Sequence, residues 1–312
     1  MDKQIALYQA RPWPGAPDLA PPPPPRSIAV IGIGLLGSSV LRAARASWPD
    51  VALAACDIDP AVRSCVDALD ICGAVFGAVS DVADAETIVI CTPPSAVLPV
   101  VKALREHLKP STVVVDVASV KVGLVRDIGP LLPEGVHHVS VHPMAGGPFG
   151  GASAGRADLF AGRSCILTPR EGTPDAVVER VEGFWRALGA VPGRSSPERH
   201  DAIVALTSHL PHLVAYAMME TVGHGLEGPQ SGMFVGRSLE DLIRAGSADP
   251  VMWRDIFKMN GARVLEHLDV FEDSLRSWRE ALTERSDPAV AACIGRAAAF
   301  TARHRTSAVE RA

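Results

Sequence analysis

Gly32-Ile33-Gly34-Leu35-Leu36-Gly37 is the first segment whose residue types and spacing can do chemistry. G-x-G-x-x-G after a strand and before a helix builds a cradle for a pyrophosphate. Gly32 permits the tight turn, Gly34 lets the backbone approach the phosphates, and Gly37 lets the helix pack closely on the strand. The helix N-terminus then faces the anion with free N–H groups. Asp57 stands twenty residues beyond Gly37, just past the next apolar run. A carboxylate there accepts hydrogen bonds from ribose hydroxyls and repels a 2′-phosphate, which favours NAD over NADP. A glycine-rich turn without ligand, and an Asp57 that only caps a helix, are the alternatives. Thr92 and Pro93, within Cys91-Thr92-Pro93-Pro94, form a stiff loop after a later strand. Such a loop either touches a nicotinamide ribose or simply turns the chain.

A base is needed at the same edge. His142, in His142-Pro143-Met144-Ala145-Gly146, follows another apolar run. A histidine just past a strand end can accept a proton from a substrate hydroxyl while hydride leaves the same carbon. Ser119, in Asp116-Val117-Ala118-Ser119-Val120-Lys121, is placed to hold that imidazole. Taken alone, His142 reads more readily as a structural histidine, and His137 and His138 read as bystanders before it. Further on, Thr207-Ser208-His209-Leu210-Pro211-His212 sets two histidines on one helix face. No third ligand accompanies them, so no metal is expected. Arg244, one helical turn after Asp241, can clamp a carboxylate in bidentate fashion, or be half of a surface ion pair.

These side chains need a frame. Short apolar runs that do not alternate occupy 27–32, 51–56, 87–91, 112–117 and 138–142, with a further strand at 163–168. Strands buried on both faces of a parallel sheet read this way. Helical stretches at 35–46 and 95–108 lie between them, so the pattern is a doubly wound α/β sheet of Rossmann type. Beyond Pro169 the texture becomes long amphipathic segments, with only a stub of strand at 190–192. Ser196-Pro197, Asp249-Pro250 and Asp287-Pro288 each read as a capping side chain followed by proline in the first helical turn. The chain therefore divides into a disordered proline-rich lead-in at 1–26, an NAD-binding domain at 27–170 and a helical domain at 171–312. Its 312 residues, 47% of them hydrophobic, suffice for two cores. A net charge of -5 speaks against a nucleic-acid partner. The six cysteines form no CxxC pair, and no uninterrupted apolar run is long enough to span a bilayer, so a cytoplasmic protein is expected.

Taken together, the glycine loop with Asp57, D-x-x-S-V-K from Asp116, H-P-M-A-G from His142, S-H-L-P-H from Ser208, and D-P-x-M-W-R-D-I from Asp249 follow one another in this order. The combination resembles the prephenate/arogenate dehydrogenase family, the cyclohexadienyl dehydrogenases of tyrosine biosynthesis. The likeness covers the chain apart from its N-terminal tail and last turns. It implies a Rossmann domain followed by an all-α dimerisation domain, NAD as cofactor, and a homodimer, which the long apolar stretch 202–222 also favours. It also implies oxidative decarboxylation of prephenate to 4-hydroxyphenylpyruvate, or of L-arogenate to tyrosine, or both, or of a prephenate analogue. By the same resemblance His142 is the catalytic histidine and Ser119 supports it, while His209 is an active-site histidine from the helical domain. Arg244 grips the ring carboxylate. Two departures stand out. Gly147-Pro148-Phe149-Gly150-Gly151 replaces the family's T/S-E-x-S-G, so an acidic loop residue is missing on the substrate side. Arg237 stands where some members are glycine-rich and offers a second carboxylate contact. Two rivals are a β-hydroxyacid dehydrogenase, suggested by the glycine-rich stretch 146–155, and a non-catalytic NAD-binding regulator. The first needs a lysine in the helical half, where Lys258 is the only one and lies outside the G-N-x-x-K setting.

Overall fold

The computed structural model describes residues 23–147, 149–225 and 231–309. The lead-in expected at 1–26 thus lies outside the described residues up to residue 22, as does Pro148 of the glycine loop. Eight strands form one sheet in the order β3-β2-β1-β4-β5-β6-β7-β8. They are β1 (Ser27–Ile31), β2 (Ala52–Cys56), β3 (Ala74–Phe76), β4 (Thr87–Ile90), β5 (Val113–Asp116), β6 (His137–Pro143), β7 (Ser164–Pro169) and β8 (Val191–Arg194). The absence of alternation in the central strands has a direct cause: both faces are covered. Ile28 and Val30 of β1 join one apolar cluster, whereas Ala29 and Ile31 join the other.

Helices α1 (Leu35–Ser47) and α5 (Asp175–Ala187) cover the first face, and α3 (Pro94–Leu104) and α4 (Val122–Ile128) the second. Helix α2 (Pro60–Leu69) comes after β2, with Asp59 capping it through a hydrogen bond from the Ala61 N–H. Pairing is parallel from β3 through β6 and antiparallel between β6 and β7. The reversal comes from the connection. Between β6 and β7 the glycine-rich segment forms only a single 3₁₀ turn, Ala152–Ala154. A parallel crossover needs a longer element, usually a helix.

The boundary between the two halves lies near residue 195, not near Pro169 as expected, because α5 and β8 still belong to the sheet. Helix α5 buries Phe184 and Trp185 against the sheet, with Trp185 edge-on to Phe160, and β8 then pairs in parallel with β7. The stub foreseen at 190–192 is a full edge strand, disguised in the sequence by Pro192 and Gly193, which an edge tolerates. The helical half begins at α6 (Pro197–Val204) and continues through α7 (Leu210–Gly225), α8 (Arg237–Gly246), α9 (Pro250–Thr283) and α10 (Asp287–Val309). Ser196 and Asp249 cap α6 and α9 as their side chains suggest, whereas Asp287 lies inside the first turn of α10. Between α6 and α7 the helix relaxes into a π turn, Ala205–His209. By length and composition the run 197–225 is apolar enough to cross a membrane. Here its polar members His200, Asp201 and His209 are buried against the rest of the protein.

Candidate active site

The carboxyl ends of β1, β4, β5 and β6 present Gly32, Thr92, Ser119 and His142 along one edge of the sheet. At Gly32 φ is +87°, and a Cβ there would lie 2.9 Å from both the backbone N and Cγ2 of Thr92. A Cβ on Gly37 would collide with the Gly32 carbonyl, while Gly34 faces open space. Helix α1 starts without a side-chain cap or an acidic residue in its first turn, so its N–H groups at Leu35 and Leu36 face outward unclaimed. Asp57 braces the loop by accepting the Ile33 N–H at 2.8 Å. The hydroxyl of Thr92 is buried without a partner among the described residues. Open cradle, free helix N-terminus and orphaned hydroxyl together fit a dinucleotide. Gly147 lies against the same place, since a Cβ on it would touch the Leu35 side chain at 3.4 Å.

His142, half-buried at the end of β6, meets a residue that no sequence motif singles out. Its Nδ1 lies 2.9 Å from Nε2 of His200 on α6, and His200 Nδ1 lies 2.8 Å from Asp201 Oδ1. Nε2 of His142 has no protein partner among the described residues. Ser119 lies in the adjacent loop, and no hydrogen bond joins it to the imidazole. Burial pushes the His142 imidazole below its ordinary value, and the neighbouring His200, Lys121 and His209 add to the effect, so the ring is a neutral base near pH 7.

Beneath this pair the Lys121 ammonium is fully buried. It donates to Asp116 Oδ1 at 3.2 Å and to the Val141 carbonyl at 2.7 Å. His138 completes the cluster at 2.7 Å from Asp116 Oδ2, so it is a structural partner rather than a bystander. Burial alone pushes the Asp116 carboxyl up, yet Lys121 and His138 outweigh that and hold it below the usual carboxylate range.

The helical half supplies the opposite wall. His209 accepts from Asn260 Nδ2 at 3.2 Å through Nδ1, which leaves its Nε2 as the protonated nitrogen. Burial lowers its imidazole to about 4. His212 stacks on Trp253 with ring centroids 3.8 Å apart, and the Trp253 indole N–H is buried without a partner among the described residues. Arg244 on α8 is exposed and pairs with Asp241 at 3.8 Å, close enough to His212 for its charge to lower that imidazole further. Arg237 opens the same helix, exposed and away from these contacts. The cofactor loop, His142 and His209 are thus brought together, with Arg244 beside His212, while Arg237 stands apart. His200, Asp201 and Asn260 carry no signal in the sequence that would have marked them, whereas Asp255 lies within the D-P-x-M-W-R-D-I motif without a role being read for it. Asp255 accepts both the backbone N–H and the hydroxyl of Ser95, tying α9 to the start of α3. Among the described residues, no group of three His, Cys, Asp or Glu side chains is arranged to hold a metal.

Comparison with known proteins agrees with this arrangement. Residues 40–192 match the family described as prephenate dehydrogenase, nucleotide-binding domain, and residues 196–295 match prephenate dehydrogenase, dimerization domain. A cyclohexadienyl dehydrogenase of Zymomonas mobilis is 34% identical, covering 83% of this chain and 89% of that protein. A prephenate dehydrogenase of Bacillus subtilis is 29% identical over 81% of this chain and 70% of its own length. The crystal structure of Aquifex aeolicus prephenate dehydrogenase in complex with hydroxyphenyl propionate and NAD+ superposes with a TM-score of 0.82 at 28% identity, covering 89% of this chain and 98% of that one. With both halves matched in order and the site assembled between them, the chain belongs to the prephenate dehydrogenase family.

Proposed function

We propose that this chain catalyses the NAD-dependent oxidative decarboxylation of prephenate to 4-hydroxyphenylpyruvate, a step of tyrosine biosynthesis, and does so as a cytoplasmic homodimer. The carrying observation is His142, a neutral imidazole with a free Nε2, three strands along the sheet edge from an open glycine cradle. In this reading Gly32, Ile33, Gly34, Leu35, Leu36 and Gly37 hold the pyrophosphate, Asp57 the adenosine ribose, and Thr92 and Pro93 the nicotinamide side. NAD, when bound, supplies the hydride acceptor. His142 Nε2 takes the proton of the C4 hydroxyl as the hydride leaves C4. Once the C1–carboxylate bond breaks, its electron pair enters the ring, and His142 returns the proton to the phenolate oxygen. Aromatisation drives the step, so the protein contributes orientation, a base and a carboxylate clamp.

Ser119 serves the substrate hydroxyl rather than the imidazole, because His142 Nδ1 is already occupied by His200. Arg244 holds the ring carboxylate, and His209 Nε2–H lines the pocket. L-arogenate is a second candidate substrate, since the Zymomonas relative carries the broader cyclohexadienyl name. A β-hydroxyacid reaction is disfavoured, because Lys258 is exposed on α9 and stands outside the G-N-x-x-K setting that reaction uses. All six cysteines are free, in keeping with a reducing compartment. Leu265, Val270, Leu275 and Leu282 are each more than half exposed along α9, apolar surface that a second copy would cover. Sedimentation of the purified chain should give a dimer; a stable monomer would contradict the assembly.

Supplying NAD with prephenate or L-arogenate should produce NADH together with hydroxyphenylpyruvate or tyrosine. Absence of reduction with either sinks the assignment. His142→Asn should lower kcat by about 10²–10⁴-fold with NAD affinity unchanged, the range for loss of a general base. The sign of the pH effect comes from the lowered imidazole. kcat/KM stays level through neutral pH and falls only on the acid side, below the ordinary histidine value near 6.5, as His142 takes up a proton. A fall already complete at pH 7 would remove His142 from this role. Arg244→Ala should raise the substrate KM by about 30-fold, corresponding to about 2 kcal/mol for a charge-assisted contact. An unchanged KM would move the clamp elsewhere, with Arg237 next to be tested.

A further inference from the structure

We propose that His200 and Asp201 are positioning residues that lock His142 into the tautomer with its proton on Nδ1, so that Nε2 is always the bare, proton-accepting nitrogen. The inference rests on the reading of His142 as the base, and the donor inventory carries it. Asp201 is buried, and its oxygens already accept the backbone N–H of Lys121 at 2.9 and 3.1 Å and that of Val122 at 2.9 Å. A carboxylate so held can only accept, so His200 Nδ1 must carry the hydrogen that bridges the 2.8 Å gap to Asp201 Oδ1. In a neutral ring His200 Nε2 is then a lone pair. It faces His142 Nδ1 at 2.9 Å, and that nitrogen must therefore be the donor.

Both rings are held neutral by their surroundings. Burial is the largest influence on each, and the buried Lys121 ammonium works in the same direction. Against it stand Asp201 beside His200 and Asp116 below, while His209 faces His142 from the π turn. A free imidazole exchanges between its two tautomers, whereas this chain of three groups leaves one. When Nε2 accepts the substrate proton, the positive charge spreads over a ring whose Nδ1–H already points at an acceptor. The Asp201 carboxylate lies one imidazole further on.

The test reads the tautomer directly and needs no substrate. In protein labelled with ¹⁵N-histidine, above the histidine titration range, His142 should show a protonated Nδ1 and a bare Nε2. In Asp201→Asn the backbone N–H groups of Lys121 and Val122 hold the amide oxygen, which turns the NH₂ toward His200. Both rings must then reverse, leaving His142 protonated on Nε2. That variant should keep NAD affinity and KM while losing at least about 100-fold in kcat, as when a catalytic histidine is held in the wrong tautomer. His200→Leu, which leaves the Asp201 cap on Lys121 and Val122 in place, should lose about 10-fold or more in kcat. His200→Gln, which keeps an acceptor at the same reach, should recover most of it. A wild-type His142 protonated on Nε2, or an Asp201→Asn variant with unchanged tautomer and kcat, overturns the proposal. If the tautomers are as expected and neither prephenate nor L-arogenate is turned over, the functional reading fails and the positioning geometry stands.

Discussion

The carboxylate of Asp201 is the contact on which the rest depends. It sits in the first helix of the helical half, yet it accepts the backbone N–H groups at the start of α4 in the nucleotide-binding half. Burying a carboxylate is costly unless its lone pairs are used and a positive potential is near. A helix N-terminus offers both, through unpaired N–H groups and its dipole. Asp255 repeats the device one helix along, accepting from Ser95 at the start of α3. Each carboxylate removes an unpaired helix end and secures the junction between the halves. Because His200 adjoins Asp201 in the chain, the junction that docks the halves also orients His142. The site exists only in the docked form.

The second constraint is the buried Lys121. An ammonium with no exposure would be expelled or discharged without compensation. Asp116 and the Val141 carbonyl compensate it here, and burial still lowers it below the ordinary lysine value despite the Asp116 charge. Such a cluster adds little net stability, since its desolvation roughly offsets its Coulomb energy. Its effect is electrostatic and local. A fixed positive charge under His142 and His200 opposes protonation of either ring, while His138 satisfies the second oxygen of Asp116. The loop D-V-A-S-V-K is thus one unit. Its first and last residues pair beneath the sheet edge, and Ser119 is held above them.

Parts of this were legible in the sequence because their causes are local. The glycine loop, the doubly buried strands and the proline-led helix starts each write their requirement into a few consecutive residues. His142 could be found for the same reason, as a histidine at the carboxyl end of a strand. The His200–Asp201 pair could not. His200 and His209 stand nine residues apart, which in a regular α-helix is about half a turn out of register. The π turn Ala205–His209 inserts the extra residue that swings them toward one side. Nothing in the spacing announces a π turn, although such turns recur at functional sites. The boundary near Pro169 failed for a related reason. The residues that send α5 and β8 back to the sheet, Phe184 and Trp185, are amphipathic-helix residues like those beyond, and Pro192-Gly193 masks the edge strand.

Net charge described the whole surface and left the site open, and the geometry resolves that tension. Both ligands in the proposed reaction are anions, while the chain is acidic by 5 charges. The site does not need a net positive protein. In the proposed reaction it relies on unpaired helix N–H groups at Leu35 and Leu36, a buried ammonium at Lys121, and an arginine on α8. The buried ammonium acts over a few ångströms where solvent counterions do not reach, whereas the arginine is exposed on the helical half. The glycine-rich segment keeps that region free of side-chain charge. Gly147 lies on Leu35, Gly155 approaches Ser38, and the Arg156 N–H donates to Ser39 at 3.0 Å, so the segment lies flat along the start of α1. A side chain at Gly155 would collide with the Ser38 side chain and crowd its backbone. The missing acidic residue and the abundance of glycine are therefore two sides of one arrangement. Gly147 lies on the cradle with backbone alone, and in the proposed reaction charge recognition falls to the helical half.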